Sequence, residues 1–213
     1  MARDTHHPVF PPAPAAPARA VPAPRELWPL LRRYYREPFA LPALLVFALV
    51  LAYAGGAVMF WFHAVYLGEG GPAISPWLHW LLDSTAGFIG LTPALALIMP
   101  LAARLAGGRT GAYVLTTGTV FAFVTAPGPL LHNALVGRGT WVARHVTALL
   151  GNGRPLSPAH HIPPVVDMAG QVALGLPTYV ALAGLALLAV RALAARRTAP
   201  VPAAAAAAAG EVQ

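Results

Sequence analysis

The sequence predicts an all-α membrane protein with four transmembrane helices, on three observations. First, 57% of its 213 residues are hydrophobic and 10% are charged, which gives a mean hydropathy of +0.62. Second, four apolar stretches are long enough to cross a hydrocarbon core of about 30 Å, which needs roughly 20 helical residues. Third, arginine is concentrated beside these stretches. A water-soluble fold is excluded because so few charged residues cannot cover its surface.

The four apolar stretches lie near residues 39–67, 76–105, 112–137 and 165–193. The third is the least regular, because the run Pro127-Gly128-Pro129 must bend or break a helix. In the outer loop that follows it, residues 140–150 have apolar side chains at helical spacing. This pattern predicts a short helix that lies at the membrane interface between spans three and four.

Low-complexity segments flank the predicted four-helix transmembrane domain, which covers residues 38–194. Residues 1–37 are predicted to form a disordered Pro/Ala-rich tail with a basic juxtamembrane segment, since repeated proline opposes helix and sheet. Residues 195–213 form an Ala-rich tail. The run Ala52-Tyr53-Ala54 has the small-x-small form that signal peptidase cleaves. Apolar sequence continues beyond it for more than ten residues, so we expect an uncleaved first helix.

The distribution of arginine predicts the orientation in the membrane. Arginines precede the first span, join the second span to the third, and follow the fourth: Arg25, Arg32, Arg33, Arg36, Arg104, Arg109, Arg191, Arg196 and Arg197. Because basic residues stay on the cytoplasmic side, both termini are predicted to be cytoplasmic in a bacterial inner (plasma) membrane. The loop at 138–164 has three arginines on the opposite side, which weakens this prediction without reversing it.

Composition and motif searches exclude several functional classes. The net charge of +7 does not indicate a nucleic-acid partner, because no basic face interleaved with aromatic residues is present. The absence of cysteine excludes disulfides, thiolate metal sites and a cysteine nucleophile. No phosphate-binding loop, zinc-protease motif or nucleophile elbow occurs. The sequence therefore favours a non-enzymatic role and leaves the question of catalysis open.

Histidine and aspartate residues from separate stretches cluster on the predicted outer side. We predict a metal site there, built from His79, Asp83 and His132 together with one or more of His63, His160, His161 and Asp167. A sixth outer histidine, His145, lies in the predicted interfacial helix. Imidazole and carboxylate ligands suit copper, zinc or iron, and we favour copper, with a role in binding or delivery rather than in turnover.

The most specific element of this cluster is the pair His79 and Asp83. Residues four apart share a helix face, so these side chains could hold one ion, or Asp83 could orient His79. Asp167 and Gln171 repeat the spacing on the fourth span. An aspartate within a span costs about 3 kcal/mol and usually faces a partner or a cavity. Capping of a helix N-terminus is the alternative explanation for both aspartates.

Two other functions stay open at this point. The chain could be a non-catalytic subunit or assembly partner of a larger membrane complex, since four spans and a small soluble portion suit that role equally well. It could also be a b-type haem protein in which His63 and His132 are the axial ligands. The expected partners are the lipid bilayer and a membrane protein or a periplasmic metalloprotein.

Three short segments carry a resemblance to a known group of proteins. The run HWLLDS at 79–84, GPLLHNALVG at 128–137 and HHIPPVVD at 160–167 follow a His-bearing first helix. In this respect the chain resembles polytopic membrane domains that accompany bacterial cupredoxin and multicopper-oxidase-type proteins. The resemblance covers about 130 residues. It implies residence near a copper system, although the chain contains no cupredoxin copper-binding motif.

Overall fold

The computed structural model describes residues 22–66, 76–128 and 164–198, and these residues form helices joined by turns, with no strand among them. The helices are α1 Pro24–Tyr34, α2 Ala40–Leu49, a π-helical segment Val50–Ala54, α3 Gly55–Tyr66, α4 Pro76–Ala106, α5 Thr110–Thr125 and α6 Pro164–Thr198. α2, the π-helical segment and α3 follow one another without interruption, so they form a single long helix.

Three of these helices are long and apolar enough to cross a membrane: Ala40–Phe62, Trp80–Ala106 and Val165–Arg197. The prediction of an all-α protein with apolar spanning helices is therefore confirmed for the described residues. α5 is apolar but has 16 residues. Its length is about 24 Å at 1.5 Å per residue, which is less than a hydrocarbon core of about 30 Å.

The predicted third span is described only in its first part. α5 ends at Thr125, two residues before Pro127. Proline lacks a backbone N–H and its ring clashes with the preceding turn, so the Pro-Gly-Pro run ends the helix as the sequence predicts. The remainder of that span, the predicted interfacial helix at 140–150 and both terminal tails beyond residues 22 and 198 lie outside the described residues.

α5 packs closely against α6, and α4 also packs against α5. Gly118 allows the two backbones to approach, because a Cβ atom built at this position would lie 2.5 Å from the Val180 Cα atom. Next to this contact the rings of Phe121 and Tyr179 pack edge to face with centroids 4.9 Å apart. Phe121 and the neighbouring Met99 of α4 are fully buried.

Three side-chain contacts bring the helix termini together at one end of the bundle, which we call the arginine end. Arg104 at the end of α4 pairs with Glu26 of α1 at 3.4 Å. Arg191 of α6 donates a hydrogen bond to the Thr110 hydroxyl at the start of α5, at 2.8 Å. The guanidinium of Arg197 lies over the Phe39 ring, 5.9 Å from its centroid. All nine arginines of the described residues lie at this end, which agrees with the clustering seen in the sequence.

The opposite end of the bundle, which we call the aspartate end, is formed by the end of α3, the start of α4, the end of α5 and the start of α6. It contains Asp83 and Asp167.

The segment before the first span differs from the sequence-based expectation, because residues 24–34, which we placed in the tail, form α1. Tertiary contacts hold this helix against α4, including a 2.9 Å hydrogen bond from the Tyr35 hydroxyl to the Ala96 carbonyl. Burial raises the pKa of Tyr35, so its hydroxyl stays protonated to a higher pH than that of a solvent-exposed tyrosine.

Substitution of Gly118 tests the close packing of α5 on α6. Gly118→Ala places a methyl group against the α6 backbone, and we expect a loss of about 1–3 kcal/mol in the free energy of unfolding. The measurement is thermal unfolding in detergent, followed by circular dichroism. Gly90→Ala is the matched control, because nothing lies within 4 Å of a Cβ atom at Gly90 in α4. We expect no loss there, since alanine favours a helix interior over glycine. Equal stability of the two variants would contradict the packing.

Candidate functional site at the aspartate end

Asp167 and Gln171 form a buried polar pair at the aspartate end. Asp167 lies in the first turn of α6 and is 7% exposed, and Gln171, one turn further, is 9% exposed. Residues four apart lie on one helix face, and this face continues through Gly175 to Tyr179, which packs on α5. The predicted shared face of Asp167 and Gln171 is therefore present, and it is turned toward the interior of the bundle.

The first spanning helix passes close to this face of α6. A Cβ atom at Gly55 would overlap the Tyr179 ring, so α3 begins at the depth of Tyr179. Eight residues further along α3, the backbone of His63 lies about 12 Å nearer the aspartate end, at a rise of 1.5 Å per residue. Gln171 precedes Tyr179 by the same number of residues in the antiparallel α6. The backbone positions of His63 and Gln171 therefore lie at about the same depth, one turn from Asp167.

α4 contributes His79 and Asp83 to the same end of the bundle, but the two faces of this helix differ. Ser84 is buried at 3% exposure, and its hydroxyl oxygen lies 2.5 Å from the position that a Cβ atom at Gly56 would occupy. The preceding residue, Asp83, is exposed. His79 and Asp83 lie one turn apart within α4, as their spacing predicts. The capping explanation is wrong for Asp83, because α4 begins seven residues earlier at Pro76, whereas it agrees with the position of Asp167.

A set of hydrogen bonds to Tyr53 fixes the start of α4 against the π-helical segment. The Trp80 indole N–H donates to the Tyr53 carbonyl at 3.1 Å, and the Tyr53 and Thr85 hydroxyls are hydrogen bonded at 2.9 Å. The rings of Tyr53 and Trp80 pack edge to face. π-helical segments occur frequently at functional sites. These bonds hold the segment of α4 that contains His79 and Asp83 in a defined position relative to α3.

Sequence reasoning did not find this set of contacts. Tryptophans near the end of a span, such as Trp61, Trp77 and Trp80, are ordinarily interpreted as an aromatic belt at the membrane interface. Trp61 and Trp77 are 56% and 78% exposed, which agrees with a belt, whereas Trp80 is half-buried and bonded to the neighbouring helix. The sequence feature that indicates close helix contacts here is the Gly55-Gly56 pair, which allows α4 and α6 to approach the first spanning helix.

The remaining predicted ligands lie outside the described residues. His161 is three residues before Pro164, and His132 is four residues after Gly128. His160 is one residue further from α6, and His145 is also outside the described part. Among the side chains that the structure describes, no group of three or more His, Cys, Asp or Glu could hold a metal ion.

Comparison with known proteins adds no assignment to this geometry. The chain matches no known protein family, no curated protein sequence and no solved structure.

Replacement of Trp80 tests the bond between α4 and the π-helical segment. Trp80→Phe removes the indole N–H that donates to the Tyr53 carbonyl, and we expect a loss of about 0.5–1.5 kcal/mol in the free energy of unfolding. Trp77→Phe removes the same atoms from an exposed side chain, so it is the matched control. Unfolding of both variants by denaturant in detergent measures the difference between their free energies of unfolding. If Trp77→Phe costs as much as Trp80→Phe, the hydrogen bond contributes nothing specific.

Proposed function

We propose that the chain is a four-span inner-membrane protein with both termini in the cytoplasm, whose aspartate end faces outward and binds a transition-metal ion. Copper is the metal that we favour, and the role is binding or delivery rather than turnover. The placement of all nine described arginines at the opposite end supports this orientation, because basic residues remain on the cytoplasmic side.

The burial of Asp167 is the observation that carries the proposal. Carboxylates within membrane spans are rare, and those that occur usually face a partner or a cavity and mark a functional site. Gln171 adds a second buried polar group on the same face. A carboxylate attracts a bound cation strongly where water is largely excluded, so this position suits a metal ion.

Imidazole side chains are available to complete the coordination of this cation. The backbone of His63 lies about one helical turn from the depth of Asp167, and His160 and His161 precede α6 by a few residues. His79 and His132 come from the start of α4 and from the segment after α5. Because Asp83 is exposed, we give it the role of orienting His79 at the aspartate end. Asp167 has the role of the carboxylate ligand.

The chemistry of these ligands favours copper. Without cysteine, the site has only nitrogen and oxygen donors, which suit divalent copper, zinc and iron. Among divalent first-row metals, such sites have the highest affinity for copper. The resemblance to membrane domains that accompany multicopper-oxidase-type proteins leads to the same metal, and it makes a periplasmic copper protein the expected recipient.

Copper content and affinity test the role of Asp167. Purified protein titrated with copper(II) in detergent should bind about one ion per chain, and Asp167→Asn should lower the affinity by about tenfold or more. The substitution removes the negative charge while it keeps the size of the side chain. The measurements are metal analysis after desalting and competition with a chelator of known affinity.

Two further variants make the copper result specific. Glu37→Gln removes an exposed carboxylate at the arginine end and should leave copper affinity unchanged. His79→Ala combined with Asp83→Ala should weaken binding, since it removes one proposed imidazole and the residue that orients it. If all of these proteins bind the same substoichiometric amount of copper, the metal site does not exist. Co-purification with a stoichiometric membrane partner would then favour the role of a subunit or assembly partner.

A further inference from the structure

α1 has an exposed face that the bundle does not cover. Arg25, Trp28 and Arg32 follow one another at spacings of three and four residues, so they lie along one side of the helix. All three are exposed, and Trp28 is 71% exposed. We call these three residues the arginine–tryptophan face. Arg33 and Arg36, which are also exposed, flank it.

α1 is held against the bundle near both of its ends, by contacts that involve no residue of the arginine–tryptophan face. Near its start, Glu26 pairs with Arg104 at 3.4 Å, and Arg104 lies close to the end of the spanning helix Trp80–Ala106. Just after its end, the Tyr35 hydroxyl bonds to the Ala96 carbonyl. The first spanning helix begins at Ala40, five residues later. The arginine–tryptophan face therefore points away from the bundle at the level where the spans begin and end.

The positive charge and the exposed aromatic ring of this face suit contact with an anionic membrane surface. Tryptophan is enriched at the boundary between hydrocarbon and water, because its ring is apolar and its N–H is polar. Guanidinium groups bind phosphate oxygens in a bidentate manner. The nearby carboxylate of Glu26 already pairs with Arg104, so it does not neutralise Arg25 and Arg32 in full.

We propose that the arginine–tryptophan face binds the phosphate groups of anionic phospholipids in the adjacent leaflet, with Trp28 inserted at the interface. A nucleic acid is disfavoured as the ligand, because the face adjoins the ends of the spanning helices and carries one aromatic ring. α1 thus anchors the arginine end to lipid and holds the start of the first span at a defined depth. This proposal is independent of the metal site.

Quenching of tryptophan fluorescence by brominated lipids tests lipid binding by the full chain. Wild-type protein is reconstituted into vesicles that contain brominated phosphatidylglycerol or brominated phosphatidylcholine at equal mole fraction. Subtraction of the signal of Trp28→Phe isolates the contribution of Trp28. We expect stronger quenching by the anionic lipid than by the zwitterionic lipid. The ratio of the association constant for the anionic lipid to that for the zwitterionic lipid should fall by about fivefold in Arg25→Gln and by about fivefold in Arg32→Gln.

The matched control removes the same charge from another part of the arginine end. Arg109→Gln combined with Arg196→Gln should leave the lipid preference of Trp28 unchanged, because both side chains are exposed but neither lies on α1. Equal quenching by the two lipids in the wild type would overturn the proposal. It would also be overturned if the control variant lost as much of the preference for anionic lipid as the Arg25 and Arg32 variants do. If a labelled DNA duplex binds the detergent-solubilised protein through Arg25 and Arg32 while the anionic lipid shows no preference, the face binds nucleic acid instead.

Discussion

The close contact between α5 and α6 at Gly118 determines the geometry of the rest of the bundle. Because no side chain separates the two backbones there, the ring of Tyr179 is brought directly against Phe121 and against the start of α3 at Gly55. In a bilayer, where helix association depends on packing rather than on exclusion of water, a small residue at the contact is the usual solution. The depth and rotation of α6 follow from this contact, and they turn Asp167 inward.

The membrane as a solvent explains the separation of charge between the two ends of the bundle. The described arginines lie at one end. Three of them contact Glu26, Thr110 and Phe39, and these contacts join helix termini that are far apart in sequence. Two aspartates lie at the other end, one buried in the bundle and one exposed. Because the hydrocarbon core disfavours charged groups of either sign, the charged side chains of the described residues are confined to these two ends.

Much of the fold was predictable from hydropathy and proline placement. The three spanning helices agree with apolar stretches that can be read directly, and α5 ends beside the Pro-Gly-Pro run as the chemistry of proline requires. The amphipathic α1 was missed, because a basic, proline-flanked segment of 11 residues has little helical stability by itself. Its contacts with α4 through Glu26 and Tyr35 supply the stability that the local sequence lacks.

The sequence by itself determined the all-helical class, the positions of the spanning helices and the grouping of arginine beside them, because these depend on local hydropathy and on the length that a bilayer imposes. Only the tertiary structure decided which polar residues face the interior. Asp83 and Asp167 look equivalent in the sequence, each with a polar residue at helical spacing. Packing at Gly56 turns Ser84 inward and leaves Asp83 exposed, whereas packing at Gly118 and Tyr179 buries Asp167. Helix rotation is set by neighbours, and no local pattern encodes it.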